Sequence, residues 1–280
     1  MGNILWIASY PKSGNTWVRA FIANYLQSGA RPVDINSLHA RSQAEAKAHL
    51  FARLVPGGDT TSLSLEEVCA LRPMVQMDIA REAHGTVFVK THNFHGAYRG
   101  HPLHNSAVTS GAIYIVRNPL DVAVSMATYF GQSVDEAIDL MGEELTGTMN
   151  EPENVPQVIS SWSTHVQSWT AQANPSFLVL RYEDLLEKPL KGFRKVVNLL
   201  GQPRDDRRLR KAIEHSSFRQ LKGQEQAAGF NERHESARSF FRNGSQNQWR
   251  KVLNDTQIAR IIAQHGEQMR RFRYLPAGYR

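Results

Sequence analysis

Short apolar runs separated by longer amphipathic stretches set the pattern of the chain. Four runs are rich in β-branched or aromatic residues and nearly continuous in apolar character: residues 4–8, 86–89, 112–116 and 177–180. Such runs are typical of strands that are covered on both faces. Helical patterns are predicted from Asn15 or Thr16 onward and over residues 119–129, 155–173, 190–200 and 256–272. Strands alternating with helices predict an α/β fold of three layers, with a mostly parallel central sheet between helices.

The same alternation predicts the domain organisation. We expect a single domain over residues 1–280, because the chain is long enough for one sizeable core and shows no internal repeat. Two stretches fall outside the alternation: residues 30–81 and the acidic residues 132–154. We interpret both as insertions around the α/β scaffold.

Composition narrows the class of protein. The chain is 41% hydrophobic and 21% charged, which is ordinary for a globular protein. No run is long enough to span a bilayer and no signal peptide is evident, so we expect no integral membrane association. A lone cysteine, Cys69, excludes an internal disulfide and favours a reducing, cytoplasmic location.

The net charge of +7 favours an anionic partner. No RNA-binding signature, zinc-finger spacing or basic heptad region is present, so nucleic acid is not the expected partner.

The first candidate site is the turn "SYPKSGNTW", which joins the first predicted strand to a helix. Unpaired N–H groups and the positive end of the helix dipole meet there, and Ser13 and Thr16 add hydroxyl donors. Gly14 lets the backbone approach a ligand closely. The turn therefore indicates an anion site, although an ordinary strand–turn–helix corner would look similar. Lys12 precedes the glycine, unlike the lysine of a nucleoside triphosphate loop.

Two further strand ends carry candidate chemistry. "AIYIVRNPLDVAVS" places Arg117 at the end of a strand, with Ser125 about two helical turns on, where both can bind a phosphate. A salt bridge from Arg117 to Asp121 is the alternative. "TVFVKTHNFHG" ends in Lys90 and His92, and a histidine is suited to act as a base near neutral pH. His95 is a rival for that role.

Together these three stretches resemble motifs of the cytosolic-type sulfotransferases, which use 3′-phosphoadenosine 5′-phosphosulfate (PAPS). "YPKSGNTW" is similar to the family's 5′-phosphosulfate loop, "YIVRNPLDVAVS" to its 3′-phosphate motif and "KTH" to its catalytic strand end. "FFRNGSQNQW" resembles the C-terminal phosphate loop, and "RYEDL" and "SSFRQL" fall where the family contacts adenine. The matches follow the family's order over most of the chain.

The resemblance implies a role for each matching residue. Lys12 would stabilise the leaving group, His92 would take the proton of the acceptor, and Lys90 would support the sulfonate oxygens. Ser13, Gly14, Asn15 and Thr16 would hold the 5′-phosphate. The 3′-phosphate would be bound by Arg117, Ser125, Arg242 and Gly244. Trp17, Tyr182 and Phe218 would contact the adenine, and Ser216, Phe240 and Asn243 belong to the same cofactor-binding segments.

The family resemblance also implies a reaction: sulfonate transfer to a hydroxyl, less readily an amine, of a small or medium acceptor, without a metal. Residues 30–81, 93–110 and 132–154 would choose the acceptor. The chain departs from the family's C-terminal loop at Asn243, Asn247 and Gln248, and the dimer motif of many animal members is absent. The oligomeric state therefore stays open. A P-loop-like small-molecule kinase and a non-catalytic nucleotide-binding module are the alternative functions.

Overall fold

The computed structural model describes residues 2–279. Its strands, in chain order, are β1 (Asn3–Ser9), β2 (Ser42–Ala44), β3 (Thr86–Thr91), β4 (Ala97–Tyr98), β5 (His101–Pro102), β6 (Thr109–Val116) and β7 (Phe177–Arg181). The α-helices are α1 (Asn15–Gln27), α2 (Ala48–Ala52), α3 (Leu65–Glu82), α4 (Pro119–Phe130), α5 (Val134–Gly142), α6 (Trp162–Thr170), α7 (Tyr182–Glu187), α8 (Pro189–Leu199), α9 (Asp206–His215), α10 (Phe218–Ala228) and α11 (Asp255–Arg271). Short 3₁₀ helices cover Ile35–Ala40, Pro56–Gly58 and Gln248–Lys251.

Five strands form one parallel sheet in the order β2-β3-β1-β6-β7. Because all five run in the same direction, their carboxyl ends lie along one edge. The turn after β1, His92 after β3, Arg117 after β6 and Tyr182 after β7 therefore meet at that edge. Strands β4 and β5 pair with each other as a small antiparallel hairpin.

Helices cover both faces of the sheet, as the alternation of β1 shows. Ile4, Trp6 and Ala8 belong to a core cluster that includes residues of α3, α4, α6 and α11. Leu5 and Ile7 belong to a second cluster with residues of α1, α8 and α9. Side chains of a strand point alternately to its two faces, so the two clusters are the two interior layers of a three-layer α/β fold. The predicted fold class is confirmed.

The predicted helix over residues 155–173 is too long. The helix begins only at Trp162, after the N-cap Ser161, and ends at Thr170. Pro156 disfavours helix in the residue before it, and Ser160 has a left-handed φ of 64°. Val158 instead forms a bridge with Gly147. Residues 155–160 are thus non-helical, and this change places them beside the candidate site.

The two stretches interpreted as insertions contain regular structure. Residues 30–81 supply β2, which extends the sheet beyond β3, and most of α3. Residues 132–154 contain α5, whose first turn is closed by a capping box between Ser133 and Glu136. Among the helices of residues 2–279, none is both long enough and apolar enough to cross a lipid bilayer.

Candidate active site

A cavity of about 870 Å³ lies over the carboxyl edge of the sheet. Four strand ends contribute to its wall, through Lys12, His92, Arg117 and Tyr182. Most of the predicted site residues line it: Lys12, Gly14, Asn15, Thr16, Trp17, Lys90, His92, Arg117, Ser125, Tyr182, Phe218, Phe240, Arg242, Asn243 and Gly244. Ser13, Ser216 and His95 do not.

The turn after β1 has the backbone of an anion loop. Lys12 has φ 61° and Gly14 has φ 104°, both in the left-handed region. A side chain at position 14 would also place its Cβ 2.7 Å from a ring carbon of Tyr182. Glycine is therefore required twice, for conformation and for space. The turn leads directly into α1, and the first residues of that helix, Asn15, Thr16 and Trp17, line the cavity. The N–H groups of a first helical turn have no partner within the helix.

Two side chains of this turn hold the turn itself together. The Asn15 amide donates to the carbonyl of Ile7 at 2.8 Å, so it ties α1 to β1. The hydroxyl of Ser13 is buried and lies 3.4 Å from the carbonyl of Pro11. The side-chain amide of Asn15 is thus engaged within the protein. Its position at the start of α1 leaves the backbone N–H as the group available to a ligand.

Lys12 reaches into an aromatic part of the cavity. Its Nζ lies 3.2 Å from the ring centre of Tyr129 and 4.2 Å from that of Phe240. Burial, reinforced by the positive charges of Arg117 and Lys90, lowers the pKa of Lys12 to about 7. A bound anion would oppose both effects, so the charge of Lys12 is coupled to ligand binding.

His92 is oriented by the end of β1. Its Nδ1 lies 2.7 Å from the carbonyl oxygen of Ser9, which can only accept, so Nδ1 carries the proton and Nε2 keeps a free lone pair. Burial lowers the pKa of His92 to about 3, and the charge of Lys90 adds to the effect. The neutral, base-competent form is thus the one present near neutral pH. His95 is exposed and does not line the cavity.

A buried polar pair supports His92 from behind. His165 Nε2 lies 3.2 Å from the carbonyl oxygen of His92, while its Nδ1 lies 2.9 Å from the hydroxyl of Tyr114. Trp169 donates its indole N–H to the neighbouring carbonyl of Asn93. Helix α6, which contains His165 and Trp169, therefore packs in the core and fixes the backbone just after β3.

Lys90 is part of an ion cluster. Its Nζ lies 3.1 Å from Oε2 of Glu232, and the same carboxylate is bound by Arg19. Arg19 belongs to α1 and is almost fully buried. Glu232 lines the cavity although it belongs to the long connection after α10.

The second candidate corner forms without the alternative salt bridge. Arg117 donates from Nη1 to the carbonyl of Lys12 at 2.7 Å, and its guanidinium stacks 4.6 Å from the ring centre of Tyr182. Its Nε is buried and finds no partner among the described residues. Asp121 instead accepts from the backbone of Asn247 and Trp249, at 2.7 and 3.1 Å. Arg117 therefore joins the first loop to the second and keeps donor capacity.

The C-terminal loop is fastened by two carboxylates. Glu225 accepts from the N–H groups of Phe240 and Phe241 at 2.6 and 2.8 Å, and Asp121 holds the far end of the loop. Arg242 and Asn243 are exposed at the cavity rim. A side chain at Gly244, which has φ 63°, would place its Cβ 2.2 Å from a ring carbon of Phe218.

Two departures from the family's loop fit this geometry. Asn247 has φ 62°, a left-handed conformation that Asn adopts more readily than most residues. Gln248 accepts from Arg242 at 2.6 Å through Oε1.

Aromatic side chains frame one end of the cavity. Trp17 meets Tyr182 edge to face, with ring centres 5.6 Å apart, and Phe218 lies beyond them on the wall. Ser216 is fully buried and donates to the carbonyl of Ala212 at 2.8 Å, so Ser217 rather than Ser216 reaches the wall.

The opposite end of the cavity mixes apolar and polar side chains. Residues 30–81 contribute Ala44 and Ala46, and residues 132–154 contribute the apolar Leu140 and Met149 together with Gln132, Thr146, Thr148, Glu151 and Asn154. Val155 and Ile159, with Gln157 between them, continue the wall. Residues 93–110 contribute nothing to it, so the expectation for that segment is wrong. The segment instead forms the β4–β5 hairpin and pairs with Val158 through Phe94.

Several residues of the site lie outside the sequence motifs and were not predicted. Tyr129, Glu225 and Glu232 touch the candidate lysines or hold the loop around them, yet none belongs to a motif. Tyr129 lies one helical turn beyond Ser125, so the helical pattern could have indicated that the two side chains lie on the same face of α4. Nothing in the local sequence distinguishes Glu232 from its charged neighbours, because its contacts are with α1 and β3.

Comparisons with known proteins agree with this picture. A family model described as "Sulfotransferase domain" matches residues 3–273. The dog proteins Sulfotransferase 1B1 and Sulfotransferase 1A1 are 29% and 24% identical over 77% and 95% of this chain. The matches cover 65% and 83% of those proteins, so the chain spans just under two thirds of the length of the first. Cytosolic sulfotransferase 17 of Arabidopsis thaliana is 26% identical over 92% of this chain and 72% of its own length.

Solved structures share the fold at low sequence identity. Retinol dehydratase in complex with androsterone and the inactive cofactor PAP superposes with a TM-score of 0.62, at 16% identity over 95% of this chain and 80% of its own. Mouse sulfotransferase SULT7A1 complexed with PAP gives a TM-score of 0.60, at 21% identity over 96% and 84%.

Proposed function

Because the chain belongs to the sulfotransferase domain family, we propose that it transfers a sulfonate group from PAPS to a small or medium acceptor, at a hydroxyl or less readily an amine. One observation carries the proposal: Lys12, Lys90, His92 and Arg117 come from three different strand ends and line one cavity. The product nucleotide PAP, 3′-phosphoadenosine 5′-phosphate, is bound in both of the solved structures described above.

The residues present fit the donor nucleotide. The turn after β1 and the start of α1 offer N–H groups to the 5′-phosphate. Arg117, with its unpartnered Nε, and Ser125 bind the 3′-phosphate, and Arg242 closes on it from the rim. Trp17, Tyr182 and Phe218 offer ring faces and edges to the adenine. Gly14 and Gly244 keep the backbone close enough to Tyr182 and Phe218 for this cradle to form.

Lys12 stabilises the leaving group. Negative charge develops on the departing phosphate oxygen as the sulfonate passes to the acceptor, and a fixed ammonium group in a water-poor site stabilises that charge. The negative charge of the bound nucleotide raises the pKa of Lys12 from the value of about 7 that burial imposes on it.

His92 acts as the base through Nε2. The carbonyl of Ser9 holds the proton on Nδ1, so Nε2 can accept the proton of the attacking hydroxyl. General-base catalysis of this kind contributes roughly 100- to 10,000-fold in rate. Lys90 lies next to His92 along the chain and binds the sulfonate oxygens.

The acceptor presents its hydroxyl to His92 and an apolar body to the opposite wall. Leu140, Met149, Val155 and Ile159 of that wall offer area for burial, worth about 25 cal/mol per Å². Gln157 is one of several polar residues of this wall and offers a hydrogen bond to a group on the acceptor. The proposal is in line with the androsterone complex of the structurally similar retinol dehydratase.

Three narrower expectations complete the proposal. Residues 1–280 act as one domain, in agreement with the family match over residues 3–273. The transfer needs no metal ion. The protein works in the cytoplasm, in keeping with the name of the Arabidopsis thaliana relative.

A transfer assay tests the proposed function. Radiolabelled PAPS is incubated with panels of hydroxylated and amine-bearing apolar compounds, and labelled product is separated from donor. We expect label in a hydroxylated compound, loss of at least about 100-fold in rate for His92→Ala, and no effect of a metal chelator. Equal rates for His92→Ala and the unaltered protein would exclude His92 as the base. Transfer from ATP in place of PAPS would support the kinase alternative.

A further inference from the structure

We propose that Glu232 is a positioning residue whose carboxylate, anchored by the buried Arg19, fixes the ammonium group of Lys90 at the end of β3. The inference rests on the proposed function in one respect, because it takes Lys90 to be the group that binds the sulfonate. No motif of the sequence includes Glu232, and it does not need to touch the reacting atoms to have this effect.

Arg19 and Glu232 form the rigid part of the ion cluster. Nη1 and Nη2 of Arg19 lie 2.8 Å from the two carboxylate oxygens, which is the bidentate geometry of a strong guanidinium–carboxylate pair. The other side of the guanidinium donates to the hydroxyl and carbonyl of Ser42, at 2.9 and 3.1 Å. Strand β2 and helix α1 together therefore hold the carboxylate in place.

Glu232 in turn holds the ammonium group of Lys90 in a defined position. Its Oε2, which Arg19 already binds, lies 3.1 Å from Lys90 Nζ. A lysine side chain has four flexible torsions and gains a defined position only when its ammonium group is held. The side chain of Lys90 is 20% exposed and that of Glu232 28%, both at the cavity wall, so solvent screens this contact only partly.

The carboxylate is not needed to hold its own segment. The backbone carbonyl of Glu232 accepts from the Tyr129 hydroxyl at 2.9 Å, and the N–H of Asn231 donates to the Asn36 side chain at 2.9 Å. Glu235, three residues on, is exposed. The backbone of the segment thus has its own anchors, while the carboxylate turns inward to two cations.

The charges around Lys90 give Glu232 a second effect. The ionisable groups that face Lys90 are Glu232, Arg19, Lys47, Lys12 and His92, and Glu232 is the one acid among these five. Burial lowers the pKa of Lys90 most strongly; Glu232 raises it, and Arg19 and Lys47 lower it. Removing the carboxylate leaves a buried ammonium group among cations, so Lys90 must lose its proton at a lower pH.

The test compares Glu232→Gln with Glu232→Asp, and uses Glu235→Gln as a control that removes an exposed acid from the same segment. The first readout is the rate at which acetic anhydride labels Lys90, followed by mass spectrometry across pH, which needs no turnover. In Glu232→Gln we expect the midpoint of labelling to move down by about one pH unit or more. Glu232→Asp should restore part of the shift, and Glu235→Gln should leave the midpoint unchanged.

The second readout separates positioning from nucleotide binding. PAP has no sulfonate, so its affinity should change less than about threefold in Glu232→Gln. With PAPS, kcat should fall about tenfold or more in the same variant. The decline of kcat at alkaline pH should also begin at a lower pH than in the unaltered protein. A labelling midpoint that stays in place, or that moves equally in Glu235→Gln, overturns the proposal. A midpoint that moves as expected in a protein that transfers no sulfonate refutes the proposed function and leaves the ion cluster standing.

Discussion

At the scale of single residues, the cavity gathers several cations along one wall. Lys12, Lys90 and Arg117 all line it, and Glu232 is the carboxylate that balances one of them directly. Such a site is unfavourable without a ligand, because buried like charges lower one another's proton affinity. A nucleotide with a 3′-phosphate and a 5′-phosphate supplies the missing negative charge, and Lys12 is where that exchange should be easiest to measure.

Lys12 should take up a proton when PAP binds. Its pKa of about 7 leaves it mostly neutral at pH 8 and mostly charged at pH 6, and the bound phosphates raise that pKa. Calorimetry of PAP binding in buffers of different ionisation enthalpy should therefore show close to one proton taken up at pH 8, and much less at pH 6. Lys12→Met serves as the control and should abolish the uptake at pH 8. An uptake that persists in Lys12→Met would assign the proton to another group.

At the scale of elements, the parallel strands were predictable and the short additions were not. The runs that form β1, β3, β6 and β7 are continuous in apolar character because helices cover both of their faces. Strand β2 has only three residues, Ser42–Ala44, and no apolar pattern, so only its pairing with β3 reveals it.

The candidate site divides in the same way. Lys12, His92 and Arg117 could be found because each follows a recognisable strand and lies in a local motif. Glu232 could not, because its function depends on contacts with α1 and β3, more than a hundred residues away. Likewise, the side-chain amide of Asn15 donates to the carbonyl of Ile7, a partner that local sequence does not reveal.

At the scale of the whole molecule, four buried histidines couple stability to pH. Burial lowers the pKa of His92 and His165 to about 3 and that of His265 to about 4, and it also lowers the pKa of His104. In the unfolded chain these groups titrate near pH 6.5. At a pH between the folded and unfolded pKa values, the unfolded state binds more protons than the folded state. The free energy of unfolding is therefore highest above pH 6.5 and decreases as the pH falls.

Denaturant unfolding should show this loss. From pH 7 to pH 5 the free energy of unfolding should fall by about 1 kcal/mol per pH unit for each buried histidine. His265 does not line the cavity, so His265→Gln should leave the site unchanged. The slope of the free energy of unfolding against pH should decrease in this variant by the contribution of one histidine. The exposed His84→Gln is the matched control and should leave the slope unchanged. A free energy that is flat over this range would contradict the burial of these rings as neutral groups.

The central claim is that this cavity binds a nucleotide through its 3′-phosphate. The direct measurement is calorimetric binding of PAP, adenosine 5′-phosphate and ATP to the unaltered protein and to Arg117→Ala. We predict micromolar or tighter binding of PAP, a free energy of about −8 kcal/mol, and at least about tenfold weaker binding of adenosine 5′-phosphate and ATP. In Arg117→Ala, the difference in affinity between PAP and adenosine 5′-phosphate should be smaller than in the unaltered protein. Equal binding of PAP and adenosine 5′-phosphate, or tighter binding of ATP with magnesium, would contradict the account.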